Sequence, residues 1–194
     1  MKKLTHLLLI IGIVFIILGS SLLVINYSDN NATKKEQTAL SICKTDLEGN
    51  KTININEEIN NLTINFDFLE CVSKSAQEEN LYSSNDEGLK VLLSTNNINI
   101  EQQADILFYN YNLDDNYPSY YLFKENLANT EKTPYIVVYA SKVDDKNNVL
   151  VTEYNIVYPI DNDNSLVIKI EDRYNIFSLS NIEDIANSII IESN

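Results

Sequence analysis

The chain has no tryptophan, four glycines, three prolines and one histidine, and that histidine is His6. Each scarcity excludes something. Beyond residue 6 there can be no Ser-His triad, no imidazole general base and no imidazole metal ligand, so the commonest routes to nucleophilic and zinc chemistry are closed. With so little glycine and proline, turns must be built from other residues that tolerate left-handed backbone. Cysteine is limited to Cys43 and Cys71, far from any C-x-x-C spacing. Positive charge is also in deficit: 14 Lys and Arg stand against 28 Asp and Glu. All the acids lie after residue 28 and two of the lysines before it, which leaves a net charge of −16 on the rest. Such a field repels nucleic acid and other polyanions.

What is present begins with an apolar run. Leu7–Ile25 contains no charged residue and is interrupted only by Gly12, Gly19, Ser20 and Ser21. As a helix it is about 28 Å long, close to the ~30 Å hydrocarbon core of a bilayer. A cleaved secretory signal is the alternative, with Leu7–Leu18 as its core and Gly19-Ser20-Ser21 as its cleavage site. The run resumes at once with Leu22-Leu23-Val24-Ile25, which favours an anchor that stays. Lys2 and Lys3 abut the run and place the N-terminus in the cytoplasm, although Lys34 and Lys35 follow on the far side. The expected organisation is a short cytoplasmic tail (1–6), a transmembrane anchor (7–27), a polar stalk (28–37) and an extracytoplasmic domain (38–194). A bias toward Asn and Ile suits an AT-rich genome such as that of a low-GC bacterium. In an exported domain Cys43 and Cys71 are most simply a disulfide joining neighbouring β elements, two free buried thiols being the alternative.

Periodicity predicts an α+β domain, one antiparallel sheet covered by helices. "TALSICKT" (Thr38–Thr45) and "KTININ" (Lys51–Asn56) read as strands around a turn at Asp46–Asn50. In "LTINFDF" the side chains of Leu62, Ile64, Phe66 and Phe68 alternate with polar ones. "NLYSS" and "LKVLLST" flank a turn at Asn85–Gly88. Ile100, Ala104, Leu107 and Tyr111 fall at helical spacing behind a cap at Asn99, and Pro118–Asn129 also reads as a helix. Three strands follow, Tyr135–Val143, Val149–Ile160 and Ser165–Glu171, with turns made of Asp and Asn. A closing helix has Ser180 and Glu183 as its capping box and Ile182, Ile185, Ala186, Ile189 and Ile190 as its apolar stripe.

The segment "TPYIVVYASKVDDKNNVLVTEYNIVYPIDNDNSLVIKIE" with the closing "SNIEDIANSIII" resembles the C-terminal half of PsbP-like domains. That resemblance implies an extracytoplasmic α/β/α sandwich of the kind often used as an accessory or assembly module. The closing "YNIFSLSNIEDIANSI" is also similar to the ends of small exported domains in low-GC Gram-positive lipoproteins. Neither carries functional residues over to this chain.

Two stretches suggest chemistry. Asp161–Asp172 has acids where a calcium loop needs them, but Leu166 stands where that loop requires glycine, and alternation predicts a plain hairpin. Tyr109, Tyr111, Tyr117, Tyr120 and Tyr121, beside Asp114 and Asp115, form the candidate binding surface. No catalytic residue, cofactor or metal site is indicated. The expected function is a non-catalytic binding or assembly module, tethered through residues 7–27, that docks to an envelope protein. A wall-carbohydrate-binding domain or a carboxylate-based hydrolase is the alternative.

Overall fold

The computed structural model describes residues 34–35, 37–129 and 133–193. The anchor and most of the stalk lie outside the described residues. Among the described residues no helix is long and apolar enough to cross a membrane.

Residues 37–48 are helical (α1) and lead through a turn into β1 (Thr52–Ile59) and β2 (Leu62–Leu69). Next come β3 (Ser73–Lys74), β4 (Leu81–Ser83), β5 (Leu89–Asn96) and α2 (Ile100–Leu113). A 3-10 turn at Ser119–Tyr121 precedes β6 (Leu122–Ala128), β7 (Pro134–Val143), β8 (Val149–Pro159) and β9 (Ser165–Asp172). The chain ends with α3 (Leu179–Asn187) and β10 (Ile190–Ser193).

Two antiparallel sheets form where one was expected. The larger has strand order β3-β4-β5-β9-β8-β7-β6, and the smaller β1-β2-β10. Alternation along the central strands assigns each face a partner. Val137, Tyr154, Ile156, Leu166, Ile168 and Ile170 share a core with Ile64, Phe66 and Phe68 of the small sheet and with Ile182, Ile185 and Ala186 of α3. The intervening residues Ile136, Val138, Ala140, Val157 and Val167 pack with Leu122 and with Ala104 of α2. The domain is therefore α+β in three layers: α2, the seven-stranded sheet, and the small sheet with α3.

Several elements differ from expectation. Thr38–Thr45 is helix and not strand: Ala39, Cys43 and Asp46 are buried at three- and four-residue intervals, a helical period. The bonded pair Cys43–Cys71, with Cα atoms 5.2 Å apart, consequently ties α1 to the chain just after β2 and does not join two strands. The hairpin turn lies at Asn60-Asn61, both at positive φ (51° and 64°), the two-residue geometry that suits the twist of antiparallel strands. Among the described residues seven non-glycine residues have positive φ and six of them are Asn, so Asn does the work that scarce glycine does elsewhere. Residues 122–128 form edge strand β6, not a helix, and only Ser119–Tyr121 is helical before it. The cap of α3 is Ser178 with Asn181, two residues ahead of the expected pair. Its stripe ends at Ile189, and Ile190 opens β10, pairing with Asn65 of β2. The strands of the β7–β9 meander, α2 with its Asn99 cap, and the β4–β5 hairpin fall where the periodicity put them.

Candidate functional site

The five tyrosines predicted as one surface divide into two groups with opposite roles. Tyr111, on the inner stripe of α2, and Tyr117, in the loop after it, meet edge to face with ring centroids 4.9 Å apart. Both point at Glu153 of β8. The Tyr111 hydroxyl donates to Glu153 Oε2 at 2.5 Å, and the Tyr117 hydroxyl donates to Oε1 at 2.7 Å. Lys169 of β9, the strand beside β8, places Nζ 2.8 Å from Glu153 Oε2 and 3.1 Å from Glu171. Asn155 donates to the Tyr111 hydroxyl at 3.0 Å and to the Val138 carbonyl at 3.2 Å.

This cluster sits where α2 stops covering the sheet. Glu153 is 8% exposed. Burial alone would raise its pKa, but Lys169 and the two tyrosine hydroxyls outweigh burial and hold the carboxyl below its ordinary range. Burial, together with the Glu153 charge, pushes both tyrosines up, so neither hydroxyl loses its proton near neutrality. Lys169 is raised: burial opposes its charge, and the Glu153 and Glu171 carboxylates prevail. The result is a fixed, ionised, internally satisfied network. It is an anchor for α2, and it offers no free base or nucleophile.

Sequence reading found Tyr111 and Tyr117 but not Glu153, Asn155 or Lys169. The pairing spans 36 and 42 residues, and nothing local marks Glu153, one of several polar residues in β8, as the partner. A second buried carboxylate has the same kinds of partner: Glu57 of β1 accepts from Tyr82 at 2.5 Å and pairs with Lys74.

Of the other three, Tyr121 is half-buried and two face outward. Tyr109 and Tyr120 are each 60% exposed. Tyr120 stacks obliquely on Tyr121 with centroids 4.8 Å apart and donates to Asn147 Oδ1 at 3.1 Å, across to the β7–β8 turn. Tyr109 has a different company, Ile106 and Leu113 on the outer side of α2, which are 47% and 63% exposed. The periodicity assigned Leu113 no role, because inward and outward stripes on one helix blur each other.

Two concavities among the described residues combine an apolar floor with polar side chains at the rim. One, about 210 Å³, lies between the end of α1, the β1–β2 pair and α3, with Phe68, Phe177 and Ile185 as floor and Asp67, Asn181 and Asp184 at the rim. The other, about 230 Å³, is lined by Asn60, Thr95, Asn97, Asp161 and Asn164 over Leu62 and Ile160. Among the described residues no group of His, Cys, Asp and Glu is placed to hold a metal ion. Asp161–Asp172 is the expected hairpin turn followed by β9, with Asp161 accepting from the backbone of Asp163 and Asn164 at 2.8 Å.

No family model and no curated protein sequence matches the chain. Among solved structures it is similar to the solution structure of cyanobacterial PsbP (CyanoP) from Synechocystis sp. PCC 6803. The TM-score is 0.50 at 8% identity, over 73% of this chain and 92% of that one. The likeness therefore extends beyond residues 133–191 into the first half, and the fold is PsbP-like.

Proposed function

We propose that the chain is a non-catalytic module, tethered at the cell membrane through Leu7–Ile25, whose folded domain lies outside the cell and docks to an envelope protein. One observation carries this best. The cluster most like an active site, Glu153 with Tyr111, Tyr117 and Lys169, is saturated by its own members, whereas Tyr109 and Tyr120 project from the same segment unburied. Tyrosine exposed in this way supplies contact area at low entropic cost and is enriched at interface hot spots. The PsbP-like fold supports the proposal, since such domains often serve as accessory or assembly modules. The net charge of −16 after residue 28 favours a partner with a basic or mixed face over an anionic polymer.

Crosslinking in intact cells tests it. The expected result is a discrete protein partner captured by the native chain and lost when Tyr109 and Tyr120 are both changed to Ala. Self-crosslinks alone would contradict it. The amide-lined cleft at Asn60, Thr95 and Asn164 favours carbohydrate binding as the second reading, because side-chain amides and hydroxyls suit sugar hydroxyls. Saturable binding of soluble wall fragments, abolished by Asn164→Ala, would establish that instead.

A further inference from the structure

The outer side of α2 is apolar without covering anything in the domain. Ile106, Tyr109 and Leu113 recur at i, i+3 and i+7, one stripe opposite the buried set of Ala104, Leu107 and Tyr111. Each is at least 47% exposed, in a surface helix whose outward positions are normally polar. The charged residues of α2 itself are all acidic. α2 contains Glu101 and Asp105 and no Lys or Arg, and Asp114 and Asp115 follow it directly. At the N-terminal end Lys124 of β6 reaches both Glu101 and Asp105, at 3.3 and 2.7 Å. The C-terminal end has no basic residue in its last turn, although a helix C-terminus favours a cation. Asp114 is held ionised there, its carboxyl kept below the ordinary range by the backbone and side-chain N–H groups of Asn116.

We infer that the Ile106–Tyr109–Leu113 stripe docks an amphipathic helix of another protein, apolar residues a turn apart against the stripe and Lys or Arg beside Asp114 and Asp115. This rests on the docking function proposed above and assigns it a surface and a partner chemistry. A second copy is the wrong occupant. Either orientation of α2 against itself sets acidic ends against an acidic flank with no cation on the helix to relieve them. Anionic lipid is excluded by the same sign of charge. A cationic helix meets both an apolar seam and a negative end, where Asp114 has Lys142 as its nearby cation, the helix-in-groove mode of recognition.

The test uses the full chain in the cells that produce it, with a photoreactive benzophenone amino acid placed in turn at positions 109, 120 and 58. Crosslinked peptides are then sequenced. The expected result is capture at position 109 of a segment with apolar residues at helical spacing and Lys or Arg within a turn of them. Capture at 109 should fall about tenfold with Asp114→Lys plus Asp115→Lys, the equivalent of losing about 1.4 kcal/mol. The same substitution should leave the circular dichroism of the purified chain unchanged, since both sites are exposed. Capture of a second copy, of lipid or of an acidic segment at 109 would overturn the inference, as would a yield indifferent to charge reversal. Protein capture only at 120 or 58 leaves docking standing and removes α2 from it. No capture at any position removes both.

Discussion

At Glu153 a carboxylate that is 8% exposed stays ionised because groups from α2, the loop after it, β8 and β9 converge: two phenols, an ammonium and, through Tyr111, the Asn155 amide. Its folded-state pKa lies below the ordinary 4.5, so the stability it contributes is present above that value and is lost as pH falls through the lower folded one. Glu153→Gln should cost about 1–3 kcal/mol at neutral pH, because one acceptor disappears and Lys169 loses its nearer partner. The difference from the native chain should shrink as pH falls below 4.5 and through the lower folded-state value. Urea unfolding at pH 7 and pH 3.5 measures it, and equal midpoints at pH 7 would show the network to be idle. Gly88 makes a different demand. A Cβ there would clash with the edge of the Tyr174 ring, whose hydroxyl bonds to Asp86. Gly88→Ala should therefore destabilise the domain by about 1–3 kcal/mol, most of it restored in the Gly88→Ala/Tyr174→Ala double variant relative to Tyr174→Ala alone. A cycle with no coupling would mean that the ring moves aside freely.

Among the elements, α1 is held by the Cys43–Cys71 bond, which closes a loop of 28 residues. On the chain-entropy model, changing both cysteines to Ser should remove about 3–4 kcal/mol, read as a lower urea midpoint. Alkylation of the native chain without reductant should find no free thiol, and two modified cysteines would contradict the bond. α3 closes one layer: Ile185→Asp puts a charge between α3 and the small sheet and should lower Tm far more than Ser180→Asp, an exposed first-turn position that suits an acid. Equal Tm values would mean α3 does not cover the core. Legibility follows the same physics. β2, β7, β8, β9 and α2 were readable because each runs long enough to repeat its period against one buried face. Thr38–Thr45 misled because eight residues do not separate alternation from a helical turn whose polar face is Ser41, Lys44 and Thr45. Leu122–Ala128 misled because Tyr120, Phe123 and Leu127 stand at helical intervals while the strand's buried contact is Leu122 against β7. β10 has four residues and exists only through its pairing with β2, which no local pattern announces. The Glu153 network was invisible for that reason too.

On the scale of the whole molecule, an acidic PsbP-like domain follows an apolar run that matches a bilayer in length. The run predicts that the native protein partitions into the membrane fraction with its N-terminus intact, and a soluble product beginning near Leu22 would contradict this. The buried carboxylates Glu57 and Glu153 are satisfied within the fold, while Ile106, Tyr109, Leu113 and Tyr120, four of the nine large apolar side chains exposed among the described residues, lie on α2 and the turn after it. That distribution is what a surface made for docking needs. Charge should matter to encounter more than to final affinity, so association is expected to weaken as salt rises. Native gel electrophoresis of membranes from cells making the chain, extracted in mild detergent and resolved by a denaturing second dimension, tests docking most directly. The prediction is a discrete complex in which the chain migrates with at least one other polypeptide and from which it is released by high salt. A chain that migrates alone at every salt concentration would contradict the docking function.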